Sequence, residues 1–489
     1  MAESDEVVLV LGEQRLTRAQ FQDRALRAQA VLAGKGIAKG DRIGVALRNR
    51  PQVFELLAAA TALGATTVPI AWRLKREEVA YLVADSGAKL VFYDADSAAQ
   101  MHDFPGMSLE QYEAALGQAN PAARSGDMLG NYDMFLYSSG TTGKRKAIER
   151  DPIPAEVMAR ASPSRNGLLD MLGIEAPGEV HLICGPLYHS QPIGFGGMAL
   201  GAGHKVVMME GGFDAEACLA AIDKEKVSWI TCVPTHFVRI LALPAEVRAK
   251  YDMSSVKAIL HSAAPCPRDV KAAIMEYFPP QAIWEVYGGT EGAMTMIGPD
   301  EWRRKPGSVG RPFPPGSEVV IMNEAGEHLP AGETGLVYAR AVMKFRYKGA
   351  SELDSDTWSG DYFTLGDMGY LDEDGYLFLT DRKKDMVISG GANIYPAEVE
   401  AVLFNHPAVG DAAVIGVPNA EFGESVKAIV EPRAPVTEGE IIAFCREHLA
   451  HYKCPASVDF VEMLPRDPSG KIRKRDLREP YWQGAGRTI

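Results

Sequence analysis

The chain has 489 residues, 46% hydrophobic and 24% charged, which is too long for one hydrophobic core and predicts at least two soluble globular domains. Its net charge of −13 argues against nonspecific binding to nucleic acid or anionic lipid, while leaving room for a local basic patch on a phosphate-bearing ligand. Cys184, Cys218, Cys232, Cys266, Cys445 and Cys454 are scattered without C-x-x-C spacing, so neither a disulfide framework nor a zinc site is expected, and most read as reduced core thiols. The opening Met-Ala-Glu-Ser-Asp-Glu is acidic where a targeting signal is basic, and no apolar run is long enough to span a bilayer. A cytoplasmic protein without an integral membrane segment is expected.

In chain order, Thr17 with Gln20 has the form of a capping box and opens a helix carrying Phe21, Ala25, Ala28 and Leu32 on one face, stopped by Gly34 and Gly36. A strand over 42–47 follows, then a helix from Pro51 to about Leu63 ended by Gly64, then strands over 66–70 and 89–93. Strand-like runs at 227–233, 257–260 and 282–286 repeat the alternation, which predicts mostly parallel sheets covered by helices, an α/β fold. After about residue 300, turn-bounded segments such as Pro314-Pro315-Gly316 and Asp372-Glu373-Asp374-Gly375 predict an antiparallel β region. The charged run Asp381-Arg382-Lys383-Lys384-Asp385 divides this from a smaller unit with a helix starting at Pro396, strands near Val414 and over 426–430, and a helix from about Glu438 to Leu449. Domains at 1–383 and 384–489 are expected, the alternative being that the charged run is a solvated turn.

The run Tyr137-Ser138-Ser139-Gly140-Thr141-Thr142-Gly143-Lys144-Arg145-Lys146 follows the apolar Met134-Phe135-Leu136. Glycines let the backbone approach an anion, hydroxyls and amides donate to phosphate oxygens, and lysines supply charge. A Walker A loop needs four residues between Gly and Gly-Lys and a hydroxyl after the lysine. Here only Thr141 and Thr142 intervene and Arg145 follows, which leaves a different phosphate-cradling loop or a flexible polar turn.

Five segments in order resemble the adenylate-forming superfamily of acyl-CoA synthetases, peptide-synthetase adenylation domains and firefly luciferase: this loop; Tyr287-Gly288-Gly289-Thr290-Glu291; Thr364-Leu365-Gly366-Asp367; the 381–385 hinge with Ser389-Gly390-Gly391-Ala392-Asn393-Ile394-Tyr395-Pro396; and Pro468-Ser469-Gly470-Lys471. The resemblance implies a large N-terminal domain of helix-covered sheets plus a β-barrel subdomain, with a small mobile α+β C-terminal domain. It also implies a two-step reaction in which a carboxylate attacks the α-phosphate of MgATP, giving an acyl-adenylate, and a thiol then displaces AMP. Anion meets anion in the first step, so a metal and cations must neutralise charge.

By that resemblance Ser138, Ser139, Gly140, Thr141, Thr142, Gly143 and Lys146 hold the β- and γ-phosphates, Thr290 the α-phosphate, and Glu291 the Mg2+ ion, a hard cation suited to a carboxylate. Tyr287, Gly288, Ala263 and Ala264 wall the adenine slot, with Glu285 in place of the family's more common glutamine. Asp367 accepts the ribose hydroxyls, Arg382 reaches the ribose or phosphate, and Lys471 bridges the carboxylate and α-phosphate in adenylation. Lys384 is the hinge, and Ser389, Gly390 and Gly391 approach the pantetheine arm of coenzyme A. Tyr188 and His189 edge the acyl pocket, with Gly194, Gly196, Gly197, Gly288, Gly289 and Ala293 supplying little side-chain volume there. No acid lies between Gly185 and Met209 to pair with a substrate ammonium, which disfavours an amino acid and favours a bulky apolar acid. Three departures from the family pattern stand out: Arg145 in place of proline, Ala147 in place of glycine, and His261-Ser262 in place of Ser-Gly. The expected partners are ATP, CoA and a small carboxylic acid, with no nucleic acid; a homodimer is left open. The alternatives are loading of a carrier-protein thiol and a nucleotide-binding homologue without turnover.

Overall fold

The computed structural model describes residues 5–101, 103–121, 132–137, 146–150, 167–174, 177–314, 316–340, 344–349, 357–382, 385–389, 392–419, 421–466 and 472–483. Residues 1–293, 298–303 and 343–354 form one compact unit; 294–297, 304–342 and 355–489 form a second.

In the first unit, β1 (Val7–Leu11) and β2 (Gln14–Thr17) make a hairpin. Thr17 ends β2 and caps the Arg18–Gly34 helix: its Oγ1 accepts from the Gln20 amide at 3.2 Å, and its own amide donates to Gln20 Oε1 at 2.9 Å. Phe21, Ala25, Ala28 and Leu32 are buried on that helix as the periodicity requires. β3 (Arg42–Ala46), β4 (Thr66–Pro69), β5 (Leu90–Tyr93) and β6 (Gly106–Ser108) form a parallel sheet in the order β4-β3-β5-β6. The Pro51–Ala62 helix between β3 and β4 is buried over most of its length, with Val53, Phe54, Leu56 and Leu57 almost inaccessible.

β7 (Ile148–Arg150) lies apart from both parallel sheets. β8 (Val180–Ile183), β9 (Lys205–Met208), β10 (Trp229–Cys232), β11 (Ala258–His261) and β12 (Ile283–Gly288) build the larger sheet, which within this unit runs β12-β11-β10-β8-β9-β1-β2. From β8 the Ser190–Gly201 helix leads to β9 on one side; the Ala215–Glu225 helix then returns the chain to β10 on the other side of β8. The strand order therefore reverses between β8 and β10, as it does between β3 and β5. At such a switch point the loops leaving adjacent carboxyl ends part and open a crevice.

In the second unit β13 (Ala293–Ile297) pairs with β14 (Arg311–Pro312) through Thr295 and Met296. The antiparallel region expected after residue 300 is present: β15 (Val319–Met322), β16 (Gly335–Arg340), β18 (Trp358–Ser359), β19 (Tyr362–Leu371) and β20 (Leu377–Arg382) form a five-stranded sheet. The intervening β17 (Phe345–Tyr347) belongs to the first unit, where it pairs antiparallel with β7. The C-terminal sheet contains β21 (Val387–Ser389), β22 (Ala392–Ile394), β23 (Val409–Asn419), β24 (Gly423–Pro432) and β25 (Ser457–Phe460). Helices Pro396–Leu403 and Glu438–His448 bury Val399, Leu403, Ile441 and Cys445 in one core with Val414, Ala428 and Val430. All six cysteines are free thiols.

Candidate active site

Parallel strands deliver their following loops to one edge, so β8, β10, β11 and β12 present Gly185–His189, Val233, Ser262–Ala264 and Gly288–Glu291 along the carboxyl edge of the large sheet. Side chains fasten these loops. Asn49, beyond the end of β3, donates to Gly185 O at 3.0 Å and accepts from the Leu187 amide at 2.8 Å, fixing the segment that carries Tyr188 and His189. The Tyr188 and His189 ring centroids lie 4.5 Å apart, and His189 forms the N-cap of the Ser190–Gly201 helix. One residue into that helix, Gln191 Nε2 donates to Cys232 O and Leu260 O, each at 3.4 Å, so the helix start is tied to the carboxyl ends of β10 and β11.

The turn after β11 holds Ala263 at φ 75°, a left-handed conformation costly for a residue with a Cβ. After β12, Gly289 and Gly292 exchange backbone hydrogen bonds of 2.9 and 3.2 Å, closing the tight turn that presents Thr290 and Glu291. A Cβ on Gly288 would lie 2.4 Å from Gly292 O and 2.7 Å from Ala293 Cα, so this glycine exists to let the turn close rather than to widen a pocket. Gly194 faces open space, in keeping with a pocket role. Gly196 does not: a Cβ there would meet Ile183 Cδ1 and Phe54 Cζ at 2.7 Å, and Gly197 is likewise buried, so Gly196 seats the helix on the sheet instead of lining an acyl pocket.

The base of the Ser/Thr/Gly run is fixed although its centre is not described. Met134 bridges Thr67 beyond the start of β4, Tyr137 bridges Ala147, and the Ile148 amide donates to Leu136 O at 2.9 Å, so the two ends of the run are joined by antiparallel pairing. β7 continues from it onto β17, and there Tyr347 joins two of the motifs. Its hydroxyl donates to Glu291 Oε1 at 3.1 Å, and its ring centroid lies 4.6 Å from Lys146 Nζ. Neither Tyr347 nor Asn49 belongs to a motif, and no periodicity in the sequence singles them out.

The resemblance puts Glu285 at the adenine slot; in the structure its carboxylate is buried and pairs with Lys271, which is 1% exposed. In the second unit Asp367 on β19 and Arg382 on β20 are register partners, and Asp367 is buried. Ser389 ends β21, paired with Ala392 and Gly423. Ser138, Ser139, Gly140, Thr141, Thr142, Gly143, Lys384, Gly390, Gly391 and Lys471 lie outside the described residues.

A strand-order reversal, a hydroxyl- and glycine-rich run whose two ends are paired, and a carboxylate tied to the lysine that follows the run together define the class: an α/β enzyme that acts on a nucleotide. The AMP-binding enzyme family profile matches residues 2–346, and that of the AMP-binding enzyme C-terminal domain matches 398–471. The chain is 32% identical to feruloyl-CoA synthase from an Amycolatopsis species, over 96% of this chain and 95% of that one. It is 33% identical to the long-chain-fatty-acid–CoA ligase FadD13 of Mycobacterium tuberculosis, over 96% and 93%. The solved structure of o-succinylbenzoate CoA synthetase from Bacillus subtilis with ATP and a magnesium ion superposes with a TM-score of 0.81 at 26% identity, covering 96% of each chain. The chain belongs to the AMP-binding enzyme family, in the CoA-ligase branch of the adenylate-forming superfamily.

Proposed function

We propose that this enzyme uses ATP and Mg2+ to convert a hydrophobic carboxylic acid into an acyl-adenylate, and then transfers the acyl group to the thiol of coenzyme A. The observation that carries the reading is the Lys146–Tyr347–Glu291 connection, which couples the phosphate-loop base to the acidic residue after β12. A carboxylate becomes an acyl donor only when its oxygen gains a good leaving group, and AMP is that group.

Each side chain has a role matched to its chemistry. Glu291, with one oxygen held by Tyr347, offers a hard donor that fits Mg2+, an ion that takes few protein ligands and when bound neutralises phosphate charge. Lys146 and the loop 138–143 bind the β- and γ-phosphates, and Thr290 the α-phosphate. Ala263, Ala264 and Tyr287 hold the adenine, and Asp367 with Arg382 the ribose. Lys471 places its ammonium between the acid and the α-phosphate as charge shifts in adenylation. Rotation of residues 384–489 about Lys384 then replaces it with Ser389–Gly391 beside the pantetheine arm. His189 and Tyr188 gate the acid, and Gly194 leaves room for it. A bulky apolar acid is supported by that open space and by the lack of an acidic residue from Gly185 to Met209.

Among the described residues no helix is long and apolar enough to cross a membrane. The free thiols support a reducing, cytoplasmic setting, in which the enzyme works on its small-molecule substrates as a monomer or homodimer. Half-reaction assays test the assignment: Lys471→Ala abolishes pyrophosphate release but leaves thioester formation from supplied acyl-adenylate largely intact. Equal loss of both steps removes Lys471 from this role.

A further inference from the structure

Behind the two walls of the crevice lies a charged group of side chains that none of the motifs contains. β11 and β12 are paired with His261 opposite Glu285. The residues that follow are the wall segments themselves: Ser262 and the left-handed Ala263 after His261, and Tyr287 two positions after Glu285, on the same face of β12. The Glu285 carboxylate is in close contact with Lys271 Nζ and lies 3.8 Å from His261 Nε2. His261 and Lys271 are 0% and 1% exposed and Glu285 7%. Lys271 comes from the helix Arg268–Tyr277, so the 262–267 turn has its entry residue His261 fixed by strand pairing opposite Glu285 and the helix beyond its exit tied to the Glu285 carboxylate. The same ammonium lies 5.1 Å from the Trp302 ring centroid, and neither ring nitrogen of His261 has a hydrogen-bond partner among the described residues.

We infer that Lys271, Glu285 and His261 form a buried clamp that positions the Ser262–Ala264 turn against Tyr287 and thereby sets affinity for the nucleotide, Glu285 acting through the wall and not on the base. This rests on the adenylating reading given above. A strained turn bridging two elements holds its shape only if both ends are fixed; strand pairing fixes the first and the Lys271–Glu285 ion pair the second. The pair also has to stay balanced. Burial and the neighbouring Lys271 charge hold His261 well below the ordinary imidazole range, so it is neutral beside the Lys271–Glu285 pair. Burial raises the Cys266 thiol, as does the nearby Glu285 charge, so Cys266 adds no charge near neutral pH. Removing the lysine leaves a buried carboxylate with no cation beside it. The expected behaviour is that Lys271→Met releases the Glu285 side chain and the helix beyond the turn from one another, so the wall is loosened.

The test is calorimetric titration of ATP with MgCl2 into the full chain at pH 6 and pH 8, with folding checked by circular dichroism. Because a binding-competent wall populated only fractionally raises the apparent Kd by the reciprocal of that fraction, Lys271→Met is expected to raise Kd roughly 10- to 100-fold at both pH values. The isosteric double variant Lys271→Met with Glu285→Gln, which removes both charges, is expected to recover most of that loss at both pH values. In turnover, KM for ATP rises in Lys271→Met while KM for the acid stays fixed, a split that a general loss of folded protein does not produce. Unchanged Kd in folded Lys271→Met, or a double variant as weak as the single one, overturns the clamp; the second result makes Glu285 a direct contact to the base. If Lys271→Met does not fold, Glu285→Asp replaces it, keeping the charge and shortening the reach, with a several-fold, pH-independent rise in Kd expected and an unchanged Kd overturning the proposal. A wild-type protein that binds no ATP overturns the adenylating reading and this inference with it, whereas ATP binding by wild type with indifferent variants sinks the clamp alone.

Discussion

Replacing Tyr347 with phenylalanine removes one oxygen and nothing else, and in the structure that oxygen donates to Glu291 Oε1 at 3.1 Å. A hydrogen bond to a charged group contributes about 1.5–3 kcal/mol, and this half-buried pair belongs at the low end, about 1.5 kcal/mol. At 1.4 kcal/mol per factor of ten, Tyr347→Phe is expected to weaken use of MgATP about tenfold. The ring beside Lys146 is retained, so phosphate-loop positioning is kept; Tyr347→Leu, which also removes the cation–π contact, is expected to lose a further 0.5–1 kcal/mol or so. The assay is pyrophosphate release over a range of MgCl2 concentrations at fixed ATP, with thioester formation from supplied acyl-adenylate as the control. A Mg2+ dependence in Tyr347→Phe that superimposes on wild type refutes the link between this tyrosine and the carboxylate proposed to hold the metal.

Other substitutions separate close approach from open space. Gly288→Ala must displace the Gly292 and Ala293 backbone and is expected to cut adenylation by a factor on the order of ten or more, whereas Gly194→Ala meets no protein atom within 4 Å and is expected to leave KM for ATP within about twofold while raising KM for the bulkier acids several-fold; steady-state kinetics on both variants checks the pair. Stability has its own pH signature. Burial lowers His181 and His236 to about 3, so each must gain a proton on unfolding once pH falls below the unfolded value of about 6.5, and stability is lost as pH drops toward the folded value. Between pH 6.5 and 5 each contributes a loss of up to about 2 kcal/mol, so the denaturation midpoint falls across this window, and His181→Gln flattens the fall. Identical pH slopes in wild type and variant contradict the assignment.

What was legible in the sequence is mainly local. Thr17 with Gln20, Pro51 at a helix start and the strand runs at 42–47, 227–233 and 257–260 follow from capping chemistry and short hydrophobic periods, and the structure has them within one or two residues of expectation. Pairing across the chain was not legible. β1 joins β9, about two hundred residues away, because both are short apolar strands with an open edge, a fact that no local window contains. The site divides in the same way. Glycines and hydroxyls in motifs announce themselves, but Tyr347, Asn49 and Lys271 are ordinary residue types whose roles arise only from what they touch. Glycine is also ambiguous as a letter: it reads equally as pocket space at Gly194, helix–sheet packing at Gly196 and turn closure at Gly288, and only the position of the absent Cβ separates them.

The most direct measurement of the central claim is product analysis by mass spectrometry after incubating the purified chain with ATP, MgCl2, CoA and a panel of aromatic and aliphatic carboxylic acids. The expected products are AMP, pyrophosphate and an acyl-CoA thioester, with acyl-adenylate accumulating when CoA is withheld; preference for a carrier-protein thiol over CoA would redirect only the second step. Formation of ADP and inorganic phosphate, or ATP binding without turnover of any acid, contradicts adenylation as the function of this fold.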